Sequence, residues 1–254
     1  MLLTIDIGNS SINMGFFIGE ELIVHKMDVY PLKLPLEYAG IFRQVLKENN
    51  VEKTPEACII STVVPGHTAA LMEACRQVCK MEPLIVSSAL SGRLKFGVSE
   101  PDKLGADRIA AAAAAIEIYG APVAVVDFGT ATTVNFIGLG NIFKGGAILP
   151  GVGLMRDCLY EHTAGLPEIP LRGPSSVLGT DTSGSMLSGI VYGTAGAVER
   201  IISETEEMEA ETYKVVLTGG NCGLIAPYLR RFDFIEPHLV LKGLRSICRE
   251  TSDA

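Results

Sequence analysis

Short apolar runs alternate with longer amphipathic stretches along most of this chain, and this order predicts the strands and helices of an α/β protein. In the first half, two apolar runs around a tight turn predict a β-hairpin. The pattern then predicts a strand at 21–25, a helix over 36–50, a strand at 57–64 stopped by Pro65-Gly66, a helix over 68–80 and a strand at 84–86. The first half therefore has the order β-β-β-α-β-α-β.

An alanine-rich segment that begins near Lys103 predicts a helix able to pack closely on several sides, and we interpret it as the element between two domains. The second half opens at Ala121 with another hairpin. Further along, the pattern predicts a Gly- and Pro-punctuated strand end at 143–151, an irregular loop at 167–176, a helix from about 182 to 204, a strand at 214–218 and a turn at Gly219-Gly220.

The two hairpins have the same sequence pattern, with Asp6 and Asp127 lying 121 residues apart in a chain of 254. In each, an apolar run leads into Asp-x-Gly, small hydroxyl or amide residues follow, and a second apolar run resumes. One such motif is typical of an ordinary hairpin turn that carries a carboxylate. Its repetition favours a duplicated α/β architecture, with domains at 1–118 and 119–254. The β-β-β-α-β-α-β order of the first half favours the ribonuclease-H type over a Rossmann repeat.

The residues of these turns suit a phosphorylated ligand. Glycine lets the backbone approach a ligand closely, and Asn9, Ser10, Thr130 and Thr132 can donate hydrogen bonds to phosphate oxygens. Asp6 and Asp127 can hold a cation or its water shell. Two such hairpins facing one another would form a phosphate and metal clamp between the domains.

Composition argues against several classes of function and site. The net charge of −8 and the absence of a basic patch argue against a nucleic-acid partner. The sequence shows neither a basic leader nor an apolar run of about 18 residues, so we expect a cytosolic protein without a membrane span. The six cysteines have no repeated C-x-x-C spacing and the four histidines are isolated, a pattern typical of core and surface residues rather than of a zinc site.

Gly105-Ala106-Asp107-Arg108 lies where the alanine-rich helix starts. The helix amino end stabilises the charged form of Asp107. Alone, the segment is typical of a first-turn acid whose neighbouring arginine pairs outward. The functional alternative places Asp107 beside a hydroxyl that attacks a phosphoryl group, with Arg108 holding substrate. Gly219-Gly220 is a weak indicator, since strand-to-helix turns often need glycine for steric reasons.

Taken together, the ordered motifs of this chain resemble those of type III pantothenate kinases. They span nearly the whole sequence: Asp6-Ile7-Gly8-Asn9-Ser10, Ser61-Thr62-Val63-Val64-Pro65, Gly105-Ala106-Asp107-Arg108, Asp127-Phe128-Gly129-Thr130-Ala131-Thr132-Thr133, 145–151, Thr182, 188–193 and Thr218-Gly219-Gly220. The resemblance implies the fold of the acetate and sugar kinase, Hsp70 and actin superfamily, with an ATP cleft between two ribonuclease-H-like domains. It also implies ATP-dependent phosphorylation of pantothenate to 4'-phosphopantothenate, the first step of coenzyme A biosynthesis, by a homodimer.

The same resemblance assigns roles to individual residues. Asp107 would be the general base, and Asp6 would hold Mg-ATP while Asp127 holds a monovalent cation, K⁺ or NH₄⁺. The first phosphate loop would comprise Asp6, Ile7, Gly8, Asn9, Ser10, Ser11, Ile12 and Asn13, with Thr130, Gly219 and Gly220 also contacting ATP. Pantothenate would contact Phe96, Val98, Gly105, Ala106, Asp107, Arg108 and Thr182.

Two positions depart from the family pattern. Ser10 replaces the usual threonine and keeps the hydroxyl, whereas Val98 stands where the family commonly has a tyrosine. Phe96, two residues earlier and expected on the same strand face, would fill that gap. Other interpretations are an ATPase chaperone or filament protein of the same fold, a regulator without catalysis, and a kinase of another small hydroxylated acceptor.

Overall fold

A computed structural model describes residues 1–252, which form two compact units. The first contains Met1–Glu117 together with the segment that begins at Leu239, and the second is Ile118–His238. The domain boundary expected after residue 118 lies one residue from this division. The segment from Leu239 onward, however, packs with the first unit although it follows the second in sequence.

The first unit is built around a five-stranded sheet with the order β3-β2-β1-β4-β5. The first three strands of the chain form an antiparallel meander. Strands β4 and β5 extend this sheet and run parallel to β1. The elements are β1 (Leu2–Ile7), β2 (Ser11–Ile18), β3 (Glu21–Asp28), α1 (Pro35–Glu48), β4 (Ala57–Thr62), α2 (Pro65–Cys79), β5 (Leu84–Ile85), β6 (Lys95–Phe96) and α3 (Ala106–Tyr119).

Alternation of side chains explains which helices cover this sheet. Leu3, Ile5 and Ile7 point to one face, where they join the apolar stripes of α1 and α2 in a single core. The residues between them, including Asp6, therefore point to the opposite face. A short 3-10 turn at Pro101–Lys103 precedes α3, whose inner alanines are almost all buried.

The second unit repeats the first sheet. Its own five strands pair in the order β9-β8-β7-β10-β11, again a meander extended by two parallel strands. Its elements are β7 (Val123–Phe128), β8 (Ala131–Gly138), β9 (Ile142–Pro150), α4 (Val152–Glu161), α5 (Thr182–Glu209), β10 (Lys214–Thr218), α6 (Cys222–Ile225) and β11 (Phe234–Ile235). The duplication expected from the two Asp-x-Gly motifs is thus present in the strand order.

The last helix, α7 (Leu239–Ser252), was not predicted from the sequence. Its buried residues Leu239, Leu241, Leu244 and Ile247 lie against the face of the first sheet that α1 and α2 leave open. Gly243 allows this helix to approach α3 closely, because a Cβ there would lie 1.7 Å from the carbonyl oxygen of Ala110. The helix thereby completes the first unit.

Three charged side chains attach α7 to the hairpin between β2 and β3. Glu20 accepts hydrogen bonds from Arg245 and, at 3.0 Å, from Arg249. These hydrogen bonds lower the pKa of Glu20 to about 2. Glu20 therefore stays ionised at neutral pH, but the pair is solvent-exposed and contributes little to stability.

The element order predicted for the first half is confirmed, and so is the start of the long helix at residue 182. Three details differ. Pro65 begins α2 instead of only ending the preceding strand, as proline at the first helical position does. Asp6 and Asp127 lie on strands β1 and β7, not in the turns that follow. Helices α4 and α6 and strand β11 were not foreseen. Within residues 1–252, no helix combines the length and apolarity that a bilayer crossing requires.

Candidate active site

The first turn joins β1 to β2 and lies at the carboxyl end of β1. The last paired residues are Ile7 and Ile12, and the Gly8 amide donates to the Ser11 carbonyl at 3.0 Å. Asn9 and Ser10 at its tip are exposed. The Val29 amide donates to the Ser10 carbonyl at 3.2 Å and anchors the turn to the strand β3 side. The tip is therefore accessible to a ligand while its ends are fixed.

Asp6 has polar neighbours on both adjacent strands. In the sheet register it lies opposite Asn13 of β2 and Ser61 of β4. All three residues point to the same face, because their sequence neighbours point into the core shared with α1 and α2. A carboxylate beside an amide and a hydroxyl forms a set of hard oxygen ligands, which suits a hydrated Mg²⁺. The sequence motif that contains Ser61 gave this residue no role, because its place beside Asp6 depends on pairing between distant strands.

The Ser61 hydroxyl is fully buried, and no hydrogen-bond partner for it exists within the described residues. An unsatisfied buried hydroxyl costs roughly 1–3 kcal/mol. We therefore expect Ser61→Ala to increase the free energy of unfolding by about 1 kcal/mol in urea titrations. Ser99→Ala, at an exposed position of the same unit, is the control and should change it by less than about 0.5 kcal/mol. A destabilised Ser61→Ala protein would contradict this prediction.

The second turn repeats the arrangement in a shorter form. Here the Gly129 amide donates to the Ala131 carbonyl at 3.1 Å, and the last pair before the turn is Phe128 and Thr132. The Gly151 amide donates to the Thr130 carbonyl at 3.1 Å, while the Thr130 side chain lies at the exposed tip. This turn too is anchored at its ends and open at its tip.

Asp127 occupies the place in the second sheet that Asp6 occupies in the first. Its register partners are Thr133 of β8 and Thr218 of β10, so a hydroxyl stands on each side. Asn135 donates to the Thr133 hydroxyl at 3.0 Å. Sequence reasoning did not give Thr133 and Thr218 a role. A polar residue at the strand position that pairs with the repeated aspartate is the sequence signal that both threonines share.

The Gly219-Gly220 turn packs against the Asp127 turn. Gly219 has φ +94°, and a Cβ there would lie 2.3 Å from the Asp127 carboxylate and 2.6 Å from the Phe128 backbone. The Asn221 amide donates to the Phe128 carbonyl at 2.9 Å. Burial, and then the nearby Asp127, raises the pKa of the Cys222 thiol. Gly219 therefore packs directly against Asp127 and Phe128 within the second unit.

Asp107 and Arg108 lie in the first turn of α3. The Gly105 carbonyl accepts the first helical hydrogen bond, from Ile109 at 3.1 Å, and the Arg108 amide donates to the Asp107 carboxylate at 2.8 Å. Both side chains are half-buried. Burial lowers the pKa of the Arg108 guanidinium, and the charge of Asp107 opposes this shift. A partly desolvated cation of this kind favours an anionic ligand.

Thr182 begins α5, where Asp181 caps the helix by accepting a hydrogen bond from the Gly184 amide at 2.6 Å. The Thr182 side chain is exposed and borders an open cavity of about 470 Å³. The cavity is lined by Leu159, Leu166, Gly179, Thr180, Asp181, Thr182, Ser185 and Met186. It therefore offers hydroxyls on one side and an apolar wall on the other.

The strand expected to carry both Phe96 and Val98 is shorter than predicted. Phe96 ends β6, and Val98 lies in the bend that follows. The expectation that the two share a strand face is wrong, because side chains alternate regularly only while the backbone stays extended. The Phe96 side chain is fixed by the end of β6, whereas the Val98 side chain belongs to the bend after it.

Each proposed cation position has one carboxylate with neutral oxygen neighbours. In the part of the chain that the structure describes, no three His, Cys, Asp or Glu side chains converge on a common metal position. This donor set does not suit zinc, which prefers several nitrogen or sulfur ligands. It fits a cation that also takes ligands from water and substrate phosphates.

Comparison with known proteins connects these features. A model of the type III pantothenate kinase family matches residues 2–204. One similar solved structure is a putative Baf family transcriptional activator from Campylobacter jejuni, with a TM-score of 0.63 and 20% identity over 99% of this chain and 100% of that chain. Another is component A of (R)-2-hydroxyglutaryl-CoA dehydratase from Acidaminococcus fermentans, with a TM-score of 0.59 and 14% identity over 98% of each chain. A third is a putative 2-dehydro-3-deoxygalactonokinase from Sinorhizobium meliloti, with a TM-score of 0.58 and 12% identity over 98% of this chain and 96% of that chain.

At these identities the solved structures establish the fold alone. They confirm the expected α/β class with two ribonuclease-H-like domains of the sugar kinase, Hsp70 and actin type. The family match is more specific and covers most of the chain, including both Asp-x-Gly turns, the start of α3 and Thr182. The chain therefore belongs to the type III pantothenate kinase family and is a small-molecule kinase.

Proposed function

We propose that this protein transfers the γ-phosphoryl group of ATP to a hydroxyl of pantothenate, giving 4'-phosphopantothenate for coenzyme A biosynthesis. The observation that carries the proposal is the pair of half-buried side chains at the start of α3. Asp107 is an acceptor for the proton of an attacking hydroxyl, and Arg108 is a partly desolvated partner for a carboxylate. Pantothenate offers both groups in one molecule.

The start of α3 would hold the acceptor, with Arg108 pairing with its carboxylate. Thr182 is a separate proposed contact, a hydrogen bond to the amide or hydroxyl oxygens of the acceptor. Gly105 and Ala106 would contact it through the backbone. Phosphoryl transfer has a loose transition state, so catalysis depends mainly on the position of the hydroxyl, with Asp107 accepting its proton late. Phe96 and Val98 remain proposed contacts for the geminal methyl groups.

The phosphates of ATP would contact the exposed turn tips. In the first unit, residues 8–11 would contact the phosphates mainly through the exposed side chains of Asn9 and Ser10, with Ile12 and Asn13 following on β2. In the second, Thr130, Gly219 and Gly220 would contact the nucleotide. Magnesium bound with ATP would neutralise developing charge, and Asp6 with Asn13 would hold its water shell.

The direct test measures ADP release with and without pantothenate. A kinase should release ADP at a rate that rises with pantothenate and yield a phosphorylated product detectable by mass spectrometry. Steady ADP release that ignores pantothenate would contradict the proposal, and so would release that depends only on another hydroxylated acceptor. Sedimentation equilibrium would test the homodimer that we also propose for the active form.

We expect Thr182→Ala to raise the KM for pantothenate about tenfold and to leave the KM for ATP nearly unchanged. The reason is the loss of one hydrogen bond to the acceptor, which costs about 0.5–3 kcal/mol depending on its charge. Steady-state kinetics with each substrate varied in turn measure both values. Thr212→Ala, an exposed threonine just beyond the other end of α5, is the control. Equal effects on both KM values would place Thr182 at the nucleotide.

We expect Asp127→Asn to remove the activation by K⁺ or NH₄⁺ while the requirement for Mg²⁺ remains. The substitution keeps the shape of the side chain but removes the charge that a monovalent cation needs beside the Thr133 and Thr218 hydroxyls. Titrating KCl against a tetramethylammonium background measures the response. Glu168→Gln removes an exposed carboxylate of the same unit and serves as the control. An unchanged potassium response would show that Asp127 has another role.

A further inference from the structure

Three cysteines of the first unit meet in the core beneath its sheet. Cys58 on β4 donates a hydrogen bond to the sulfur of Cys75 on α2, with the two sulfur atoms 3.2 Å apart. Cys79 lies one helical turn beyond Cys75, on the same inner face of α2. All three thiols are free, and the proposed kinase reaction uses none of them.

The chain path explains why these cysteines converge. Helix α2 follows β4 and runs back across the sheet, so its last turn returns to the strand end at which β4 began. Cys58 is the second residue of β4 and points to the α2 side with Ile60. Cys58 pairs with Leu3 in the register, whereas Asp6 pairs with Ser61. The thiols therefore lie toward the end of β1 opposite the first turn.

The three thiols differ in solvent access, and Cys79 and Cys58 also differ in acidity. Cys79 is 8% exposed, compared with 1% for Cys58 and 0% for Cys75. The neighbouring Cys58 thiol lowers the pKa of the Cys79 thiol, although burial opposes the shift. Burial raises the pKa of Cys58. Cys79 is thus the most accessible thiol of the three, and its thiolate is favoured over that of Cys58. Thiolates are the species that peroxides oxidise.

We propose that Cys79 and Cys58 form an oxidisable dithiol that closes to an intramolecular disulfide when the protein meets a peroxide. The Cys79 thiolate attacks hydrogen peroxide, forms an S–O bond and releases hydroxide, which gives a sulfenic acid. The Cys58 thiol then attacks the Cys79 sulfur, so that an S–S bond forms, the S–O bond breaks and water leaves. Overall, two thiols lose two electrons and two protons while one peroxide becomes two waters.

The consequence is a covalent link between β4 and α2 at a distance from the first turn. The link lowers the conformational entropy of residues 58–79 in the unfolded state. The oxidised protein should therefore melt at a higher temperature than the reduced protein. Nucleotide binding should be unaffected, because Asp6 and Ser61 lie at the other end of the paired segment. The oxidation can therefore be followed without reference to kinase activity.

Peptide mapping tests the assignment on the native wild-type protein. The folded protein is treated with hydrogen peroxide, alkylated in denaturant and digested with trypsin without reduction. Trypsin leaves Cys58 and Cys75 together in the peptide 54–76 and releases Cys79 in Gln77-Val78-Cys79-Lys80. The proposed disulfide joins these two peptides, whereas a bond between Cys58 and Cys75 only closes a loop inside the first.

Variants then identify the partner. The cross-linked pair should persist in Cys75→Ala and disappear in Cys79→Ala and Cys58→Ala, with circular dichroism confirming that each variant is folded. Cys158→Ser serves as the background, because Cys158 is exposed and would form intermolecular disulfides. A wild-type digest without the cross-linked pair would overturn the proposal. So would its loss in Cys75→Ala, which would show that Cys75 is the bonded residue.

Discussion

Asp107→Asn should lower kcat by at least about a hundredfold while the protein stays folded, which is the scale expected when a general base is lost. The substitution keeps the size of the side chain and its hydrogen-bond acceptor for the Arg108 amide, which donates to the Asp107 carboxylate at 2.8 Å. Only the charge that accepts the proton is removed. Initial rates at saturating ATP and pantothenate, with a melting curve for each protein, measure the effect.

Glu117→Gln is the matched control for that experiment, since it removes an exposed carboxylate near the other end of α3. Its kcat should equal that of the wild type. If Asp107→Asn kept a near wild-type kcat, Asp107 would be an ordinary first-turn acid that stabilises α3. A loss in Asp107→Asn that came with a lower melting temperature would have to be corrected for the unfolded fraction before it counted.

Gly219→Ala should destabilise the second unit by several kcal/mol and weaken nucleotide binding. The added methyl group would stand 2.3 Å from the Asp127 carboxylate and 2.6 Å from the Phe128 backbone. It would also impose a side chain on a residue with φ +94°, a conformation that costs a non-glycine residue about 1–3 kcal/mol. Urea unfolding and calorimetric titration with Mg-ATP measure the two effects.

Gly223→Ala provides the comparison in the same segment. Gly223 lies in α6, and a Cβ there would meet nothing within 4 Å. The variant should be as stable as the wild type, or slightly more stable, because alanine favours a helix. Equal stability of the two alanine variants would mean that the Gly219 turn can move away from Asp127, and the close contact would then not be essential.

The sequence predicts the sheets well because each strand carries a strong local pattern. The runs around Asp6 and Asp127 alternate or stay apolar over their full length, and proline and glycine mark where they end. Neither α4 nor α7 was foreseen. Helix α7 carries an amphipathic stripe, yet what that stripe covers is decided by a sheet formed from residues 2–85. No local pattern contains that information.

The candidate site also contains residues whose positions follow from local sequence and residues whose positions depend on distant pairing. Asp107, Arg108 and the two turns are contiguous motifs, so their arrangement at a helix start or a hairpin follows from local sequence. Ser61 and Thr218 become neighbours of the two aspartates only through parallel pairing of distant strands. The prediction that Phe96 and Val98 share a strand face is wrong because β6 ends at Phe96. Strand ends depend on pairing, which a single sequence does not display.

The position of α7 has a consequence for synthesis of the protein in the cell. Residues 118–238 are complete as a unit once they have left the ribosome, whereas the unit that begins at Met1 still lacks a layer at that moment. One face of its sheet stays uncovered until Leu239 and the residues after it have been translated. The unit made first is therefore finished last, which reverses the usual order of co-translational folding.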